Sequence, residues 1–291
     1  MLNSLAIVGA GRVGRALGKR LREEGWRIGA VVARSAGSAA RGVRFIGAGH
    51  PQAGISARVL AAHVILVATP DDQIAAVVCD LVALLGEAGP NELRGRVFLH
   101  TSGALDSQIL HPLRRFGAAV GSMHPLQTFS GVGIPPLQGK CFAIEGHDLA
   151  LRTARALVRS LGGRAIKIGA DKKILYHAAA ALAAGHVLAI EEAASRMLMS
   201  AGMSRRQAAS SLVSLSRQVL ENFERLGGRA AWTGPLARGD YRVVLAHAQA
   251  MSGLPVEYAR AYEALNRLGA RVLASNTRST LARLDKLAVA Q

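Results

Sequence analysis

A glycine-rich turn between a predicted strand and a predicted helix constrains the fold of this chain more than any other feature. Residues 4–8 form a short apolar run without helical spacing, and Gly9, Gly11 and Gly14 follow it in the order G-x-G-x-x-G. Apolar residues then recur at helical intervals as far as Gly25. In such a turn Gly9 permits the sharp bend, Gly11 lets a pyrophosphate approach the backbone, and Gly14 lets helix and strand pack closely.

This strand, turn and helix predict a dinucleotide-binding unit, because the N–H groups at the helix start would face the phosphates. The cofactor-binding residues expected in the turn are Gly9, Gly11, Arg12, Val13 and Gly14. A purely structural glycine turn is the alternative. Two other glycine-rich stretches, 47–54 and 131–139, contain proline, which blocks the helix that such a turn requires, so we exclude both as nucleotide turns.

The end of the second predicted strand carries an arginine where an NAD enzyme usually places a carboxylate. The strand "RIGAVVARS" (27–35) ends about 20 residues beyond the glycine turn, where an Asp or Glu would bind the ribose 2′-hydroxyl. Arg34 cannot accept that hydrogen bond, but it can pair with a 2′-phosphate, and Ser35 adds a hydroxyl donor. The pattern favours NADP over NAD. A solvated loop arginine is the alternative.

Strands and helices alternate through the first 170 residues, which is typical of a parallel sheet. The further predicted strands lie in "AHVILVATP", "RVFLHTSGAL", "AAVGSMHPLQTF", "KCFAIEG" and "RAIKIG". Because ligands bind beyond the carboxyl ends of parallel strands, Thr69, Ser102 and His124 are expected at the ligand edge. We assign Thr69 and Pro70 to the cofactor, His124 and Gln127 to the substrate, and Ser102 to both.

Two acidic residues follow Pro70, at the start of the helix that begins there. We predict that Asp71 or Asp72 caps this helix, because aspartate is favoured at helix N-termini. A catalytic acid is the alternative at these positions.

From Asp171 onward the pattern changes to helices only. The stretch 171–202 could form one helix of about 30 residues, and three more helices follow it. We therefore predict a Rossmann-like, doubly wound and mostly parallel α/β domain at 1–170 and an all-α substrate and dimerisation domain at 171–291.

The first predicted helix of the second half carries two candidate catalytic residues. Lys173 and His177 are four residues apart, so they share one helical face and offer a fixed cation beside a proton donor. His186 would lie nearly opposite His177 on an ideal helix, so one site cannot easily use both. A partly buried imidazole with satisfied hydrogen bonds is the alternative for His177.

The loop "TGPLARGD" offers one more candidate. Arg238 could hold a substrate carboxylate, although a structural loop arginine is equally compatible with the sequence. Asp240 could cap the helix that follows.

The net charge of +17 does not indicate a nucleic-acid binder. The basic excess is spread evenly along the chain, and only 4% of the residues are aromatic, whereas nucleic-acid binders cluster basic residues among stacking aromatics. We read the charge as a solvated, arginine-rich surface whose positive field would steer small anionic ligands inward.

The sequence also predicts a cytoplasmic location. No apolar run reaches the ~18 uninterrupted residues that a membrane span needs, and the first residues carry no basic leader. Cys79 and Cys141 lie far apart without metal-ligand spacing, so we expect reduced core residues and no metal site.

Taken together, these stretches resemble a family whose members join a Rossmann-like NADP-binding half to a helical half catalogued as a domain of unknown function. The resemblance spans nearly the whole chain and rests on "GAGRVG", "ATPDDQI", "HTSGAL", "HPLQTF", "KKILYHAAAALAAGH" and "TGPLARGD". The fold is similar to that of pyrroline-5-carboxylate reductases and the wider β-hydroxyacid dehydrogenase group. Some members are assigned as an alternative ketopantoate reductase.

The resemblance implies roles for two segments. It places "HPLQTF" beside the nicotinamide, puts "KKILYHAA" in the substrate cleft, and gives Lys173 and His177 the places of the Lys and Asn that β-hydroxyacid dehydrogenases use. One departure is visible, since many relatives read Ala-Ser-Asn where this chain reads Ala183-Ala184-Gly185.

The expected function is therefore an NADPH-dependent reductase of a small anionic carbonyl compound, such as the 2-oxo acid ketopantoate. An imine reductase resembling pyrroline-5-carboxylate reductase is one alternative, and an NADP-binding regulator without catalysis is another. We also expect a homodimer through the helical domain, because a long Ala-rich helix without a partner would expose apolar surface.

Overall fold

The computed structural model describes residues 4–289. The chain divides into two compact units, the first ending at Ala184 and the second beginning at Gly185. The first unit extends beyond residue 170 because the next helical turns pack against it: Lys173 is buried there and bonds to Ser102. The division of roles between the two predicted domains stays a prediction.

The first unit is built on one eight-stranded sheet. Its strands are β1 (Ser4–Val8), β2 (Arg27–Ala33), β3 (His50–Ala53), β4 (Val64–Val67), β5 (Val97–His100), β6 (Ala119–Pro125), β7 (Cys141–Gly146) and β8 (Arg164–Lys167). They lie in the order β3-β2-β1-β4-β5-β6-β7-β8. The first six are parallel, β7 runs antiparallel to β6, and β8 is parallel to β7. The predicted mostly parallel, doubly wound fold is confirmed.

Helices cover both faces of this sheet, and each face has its own apolar core. The helices are α1 (Arg12–Glu23), α2 (Ala36–Ile46), α3 (Ala57–Leu60), α4 (Asp71–Leu85), α5 (Asp148–Ser160) and α6 (Lys173–Ala181), with 3₁₀ segments at Ser107–Phe116 and Ala170–Lys172. Strand β1 shows why its sequence is an unbroken apolar run. Leu5 and Ile7 point into one core, while Ala6 and Val8 point into the other.

Strand β3 is absent from the sequence prediction. It lies at the edge of the sheet, where Val31 of β2 is opposite Pro51. A proline is tolerated there because an edge strand has one side whose N–H groups need no partner strand. The sequence analysis used this proline to exclude a nucleotide turn in the stretch 47–54 and did not consider a strand there.

The prediction that both cysteines lie in the core is wrong. Cys79 is exposed on α4, and Cys141 is half-buried at the start of β7. Helix α4 buries a stripe that includes Val78 and Leu81, so Cys79 falls on the outer side of the helix.

The second unit is helical. It contains α7 (Val187–Ser200), α8 (Arg205–Leu226), α9 (Gly228–Ala231), α10 (Pro235–Arg238), α11 (Tyr241–Ala250), α12 (Val256–Val272) and α13 (Thr277–Val289). The predicted all-α second half is confirmed, although α13 was not foreseen. A π-helical turn at Leu182–His186 joins α6 to α7, so the ideal-helix angle between His177 and His186 does not apply.

One helical run within residues 4–289, Ala170–Ser200, is long and apolar enough to cross a membrane by length and composition. The sequence prediction excluded a span here because two histidines and two glutamates interrupt the apolar residues. Core helices can have the same length and composition, so this property alone decides nothing. The cytoplasmic location stays a prediction.

Candidate functional site

The glycine turn between β1 and α1 has the geometry that its spacing predicts. Gly9 has a φ of +106°, and the N–H groups of Gly9 and Ala10 donate to the Val32 carbonyl at 2.9 and 3.2 Å. A Cβ on Gly14 would overlap the carbonyl oxygen of Gly9, whereas a Cβ on Gly11 would meet nothing within 4 Å. The turn thus leaves open space over Gly11, at the start of α1.

A buried polar atom without a partner lies beside this turn. A Cβ on Gly9 would come within 2.6–2.7 Å of the backbone of Ala68 and Thr69, so the turn packs on the end of β4. The hydroxyl oxygen of Thr69 is buried and has no hydrogen-bond partner among the described residues. Leaving a buried polar atom unpaired costs about 1–3 kcal/mol. A dinucleotide whose polar atoms reach Thr69 would remove that cost, so these residues fit the predicted cofactor.

The carboxyl end of β2 presents an exposed group of arginines and hydroxyls. Arg34 and Ser35 are both exposed. Ser35 is the N-cap of α2, where its Oγ accepts from the Ser38 N–H at 3.3 Å and donates to the Ser38 Oγ at 3.1 Å. Arg41 donates to the same Ser38 oxygen at 2.8 Å. The sequence missed Ser38 and Arg41, although their spacing of three along one helix was visible.

The glycine-rich stretch after β6 approaches the first turns of α1. Arg15 donates to the Gly131 carbonyl at 2.8 Å, and a Cβ on Gly131 would lie 3.1 Å from the Nε of Arg12. Arg12 is exposed, and Val13 packs against the apolar core. The stretch excluded as a nucleotide turn is thus a neighbour of the predicted one.

Lys173 is the most deeply buried charged residue of the candidate site, with 1% of its surface exposed. As the first residue of α6, it donates from Nζ to the Ser102 carbonyl at 3.0 Å and to the Ser122 Oγ at 2.7 Å. Burial lowers the pKa of Lys173 to about 8, against the opposite effect of nearby carboxylates, of which Glu145 has the largest. The ammonium group therefore lies between the residues that follow β5 and the middle of β6.

His124 forms a cluster of rings with Tyr176 and His177 of α6, the helix that begins at Lys173. The His124 Nδ1 lies 2.8 Å from the Tyr176 hydroxyl, and its ring stands at 84° to that of His177 with the centroids 5.8 Å apart. Burial, followed by the charges of His177 and Lys173, lowers the pKa of His124 to about 4. Burial raises the pKa of Tyr176 to about 12. His124 is therefore neutral near pH 7, and the Tyr176 hydroxyl keeps its proton.

These rings line a cavity of about 520 Å³. Its remaining walls come from the residues after β6 and from the small side chains of α6 and the turn that follows. The lining residues are His124, Leu126, Gln127, Thr128, Tyr176, His177, Ala179, Ala180, Ala181, Ala183 and Ala184. Lys173 is not among them.

The structure places His124, Gln127 and His177 around one cavity and Lys173 on the same helix as His177, while the binding roles of these residues and of Ser102 stay predictions. The Ser102 Oγ accepts from the N–H groups of Ala104 and Leu105 and donates to the Asp71 Oδ2 at 2.7 Å. Its hydroxyl is thus occupied within the protein. Only its backbone carbonyl contributes to the candidate site, through Lys173.

The prediction that Asp71 or Asp72 caps α4 is also wrong. Pro70 holds the N-cap position, and both aspartates lie in the first turn of the helix. There their negative charges interact favourably with the helix dipole, and Asp71 accepts a hydrogen bond from the Ser102 hydroxyl.

Two residues predicted to bind substrate make contacts with residues close to them in sequence. Gln127 donates to the Pro136 carbonyl at 3.1 Å while still lining the cavity. Arg238 lies in the second unit, where its Nε is 3.0 Å from the Asp240 Oδ2. Asp240 holds the N-cap position of α11 without a side-chain capping bond. The substrate-binding role of Arg238 stays a prediction.

Around Lys173 and His177, sequence reasoning missed four further residues: Ser122, Glu145, Tyr176 and Gly103. A Cβ on Gly103 would come within 2.5–2.9 Å of the His177 and His124 rings. Tyr176 had a usable signal, since it follows Lys173 by three residues and shares its helical face. Glu145 had another, because it is an acidic residue inside the apolar strand "KCFAIEG". Gly103 and Ser122 had none, because their importance comes from neighbours that are distant in sequence.

Comparison with known domain families accounts for most of the chain. Residues 2–125 match a Rossmann-like domain, and residues 140–268 match DUF2520, a domain of unknown function. The chain therefore joins a Rossmann-like domain to a DUF2520 domain. The candidate site draws on both matched segments, since Ser102, Ser122 and His124 lie in the first and Lys173 and His177 in the second.

The chain is similar to several solved structures of oxidoreductases. One is BF3122, a candidate NADP oxidoreductase from Bacteroides fragilis, at 21% identity and a TM-score of 0.72, covering 90% of this chain and 96% of that one. A reductive aminase from Aspergillus terreus, in complex with NADPH4, cyclohexanone and allyl amine, has 19% identity and a TM-score of 0.65 over 97% and 99% of the two chains.

A pyrroline-5-carboxylate reductase from Coxiella burnetii has 14% identity and a TM-score of 0.59 over 99% of each chain. No curated protein matches the sequence. At these identities the likenesses show that the chain shares the fold of these structures.

Proposed function

We propose that this protein is an NADPH-dependent reductase of a small carbonyl compound, with 2-oxo acids such as ketopantoate as the first class to test. The observation that carries the proposal is the arrangement around α6. Lys173 is buried against Ser102, just after β5, and against Ser122 in β6, while His177, one turn further, lines a cavity. A fixed cation and a proton donor are what reduction of a polar double bond requires.

The cofactor proposal rests on the glycine turn and the end of β2. The start of α1 and the open space over Gly11 would hold the pyrophosphate, and the unpaired Thr69 hydroxyl would gain a partner. Arg34 and Ser35, with Arg41 and Ser38 of α2 beside them, would hold a 2′-phosphate. When bound there, NADPH supplies a hydride. The similar structures described as NADP oxidoreductases and reductive aminases support the same cofactor.

We assign the proton to His177 and the electrostatic role to Lys173. His177 lines the cavity, whereas both hydrogen bonds of the Lys173 ammonium go to protein oxygens, the Ser102 carbonyl and the Ser122 hydroxyl. As a hydride reduces the substrate carbon, the electrons of its double bond would move to the oxygen, which would take a proton from a ring nitrogen of His177. The positive charge of Lys173 stabilises the developing alkoxide through a site of low dielectric.

A second candidate is reduction of an imine. It is favoured by the similarity to a reductive aminase and to a pyrroline-5-carboxylate reductase. The same two residues would serve, because a developing amine also takes one proton. The small alanine walls of the cavity suit a compact substrate in either case.

The experiment is cofactor oxidation with a panel of 2-oxo acids and cyclic imines, using NADPH and NADH in parallel. We expect turnover with NADPH for one of the two panels. The K173M and H177N variants should bind NADPH as the wild type does but lose turnover. NADPH binding without any turnover would favour a regulatory protein, and unchanged turnover in both variants would remove these residues from the mechanism.

The coenzyme preference has a matched pair of variants on one strand. Arg34 follows the carboxyl end of β2, and the exposed Arg27 begins the same strand at the other end. R34A should weaken NADPH binding at least about tenfold and leave NADH binding unchanged, whereas R27A should change neither. Equal losses for both coenzymes in R34A would contradict the 2′-phosphate assignment.

We also propose that the helical unit pairs with a second copy of the chain. Helix α8 has 22 residues, and Ala208 is the one residue described as buried in it. Val219, Leu220 and Phe223 are between 51% and 64% exposed. An apolar surface of this kind on a folded protein is typical of an interface.

A further inference from the structure

Strand β7 contains a buried carboxylate that the proposed mechanism does not yet use. Glu145 is 8% exposed, and the antiparallel register of β6 and β7 places it opposite Ser122. A buried charge costs free energy unless it is paired and hydrogen-bonded. Its position therefore requires a partner of opposite charge or a full set of donors.

Three hydrogen bonds reach the Glu145 carboxyl group. The Oε1 atom accepts from the Ser107 hydroxyl at 2.7 Å, and the Oε2 atom accepts from the Ser107 N–H at 2.8 Å. Oε2 also accepts from the Ser122 hydroxyl at 3.4 Å. One N–H group and two hydroxyl groups are thus directed at the two oxygens, which is the donor set that a buried carboxylate needs.

The direction of the Ser122 bond follows from its other neighbour. An ammonium group can only donate, so the Ser122 Oγ accepts from Lys173 at 2.7 Å and has its own proton left for Glu145. The three side chains form a buried ion pair bridged by one hydroxyl. Such a chain fixes both the position and the charge of the lysine.

We infer that Glu145 is a positioning residue, which acts through Ser122 to hold Lys173 as an ammonium ion against the Ser102 carbonyl. Its catalytic meaning rests on the proposed function. The arrangement itself is a property of the protein without substrate or coenzyme, so it can be tested separately.

Other ionisable groups also surround Lys173. The carboxylates of Asp71 and Asp106 raise its pKa less than Glu145 does, and Asp71 is engaged by the Ser102 hydroxyl. His100 and His124 both have lowered pKa values, to about 3 and about 4, mainly through burial. Both imidazoles are therefore neutral near pH 7 and add no positive charge beside Lys173.

A purely structural role for Glu145 makes a different prediction. Glu145 could simply hold Ser107 at the start of its 3₁₀ segment. In E145Q an amide oxygen can still accept from Ser107, but the negative charge is lost. The two roles are separated by the titration of Lys173, because loss of the charge moves it, whereas a changed contact with Ser107 alone does not.

The test is NMR titration of the full chain carrying ¹³C-labelled lysine, with the Lys173 signal assigned by its absence in K173M. We expect the midpoint of Lys173 in E145Q to fall by about one pH unit or more, a tenfold change in the dissociation constant. The E92Q variant removes an exposed carboxylate elsewhere in the first unit and should leave the midpoint unchanged. An unchanged midpoint in folded E145Q would overturn the inference.

The S122A variant keeps the carboxylate but removes the bridging hydroxyl. We expect it to lower the midpoint in the same direction by a smaller amount, and it decides the question if E145Q does not fold. An unshifted midpoint in S122A would then reject the relay. Because the titration needs no substrate, failure of the reductase proposal would leave this result standing.

Discussion

The imidazole rings of His124 and His177 stand at 84° to each other, and the backbone of Gly103 passes beside both. A Cβ on Gly103 would lie 2.5 Å from the His177 Nδ1 and 2.9 Å from the His124 Nε2. Real side chains do not tolerate such distances, so the glycine is a requirement of the ring cluster.

The G103A variant should therefore displace one of the two rings. We expect kcat to fall by about 10²-fold, because misplacing a reacting group by about 1 Å has effects of that size. Gly89, where a Cβ would meet nothing within 4 Å, provides the control variant G89A. Wild-type kinetics in G103A would show that the rings do not act on the substrate.

The glycines of the first turn separate folding from coenzyme binding. A Cβ on Gly14 would overlap the Gly9 carbonyl, so G14A should lower the free energy of unfolding by on the order of 2 kcal/mol, measured by urea denaturation. Gly11 has open space around it and a φ of −76°, which alanine adopts freely.

G11A should accordingly unfold at the wild-type urea concentration but bind NADPH at least about tenfold more weakly by calorimetry. The reason is that its methyl group would stand where the pyrophosphate approaches the backbone. Full coenzyme affinity in G11A would place the dinucleotide elsewhere.

Acid should destabilise the first unit through His100. Burial, followed by the charge of Lys173, lowers its pKa from 6.5 to about 3. Between these values the unfolded chain binds a proton that the folded protein does not. The contribution of His100 to the free energy of unfolding is therefore fully present above pH 6.5. It falls by up to about 1.4 kcal/mol per pH unit as the pH decreases towards 3.

We expect the free energy of unfolding of H100N, measured by urea denaturation, to depend less steeply on pH between about pH 7 and pH 4 than that of the wild type. Its value at neutral pH should nevertheless be lower. The exposed His111 provides the control, and H111N should keep the wild-type slope. Equal slopes in H100N and the wild type would mean that other groups control the acid response.

The proposed dimer can be tested on α8. Leu220 is 64% exposed, and L220E should place a charge in the apolar surface and yield the mass of a single chain by light scattering. Q218E adds the same charge two residues away, at a position that is already polar. A single-chain mass for the wild type at micromolar concentration would reject the dimer.

Much of the fold could be predicted because its signals are local. The glycine spacing, the unbroken apolar run of β1 and the helical intervals of α1 lie within 25 residues of one another. Strand β3 escaped because Pro51 suits an edge position, and edge position depends on the order of the strands rather than on the strand itself.

The candidate site was predicted only in part, for the same reason. Lys173 and His177 share a helix, so their spacing alone brings them together. The hydrogen bond between Ser102 and Asp71 was not predicted, because it joins the residues after β5 to the start of α4 and no local pattern encodes it.

The sequence by itself determined the nucleotide turn, the alternation of strands and helices and the face shared by Lys173 and His177, since each depends on residues within a few turns. Only the tertiary structure decided that Glu145 faces Ser122, that Ser122 reaches Lys173 and that His177 meets His124. Those contacts arise from the order and direction of strands in the sheet, which bring together groups that are far apart along the chain.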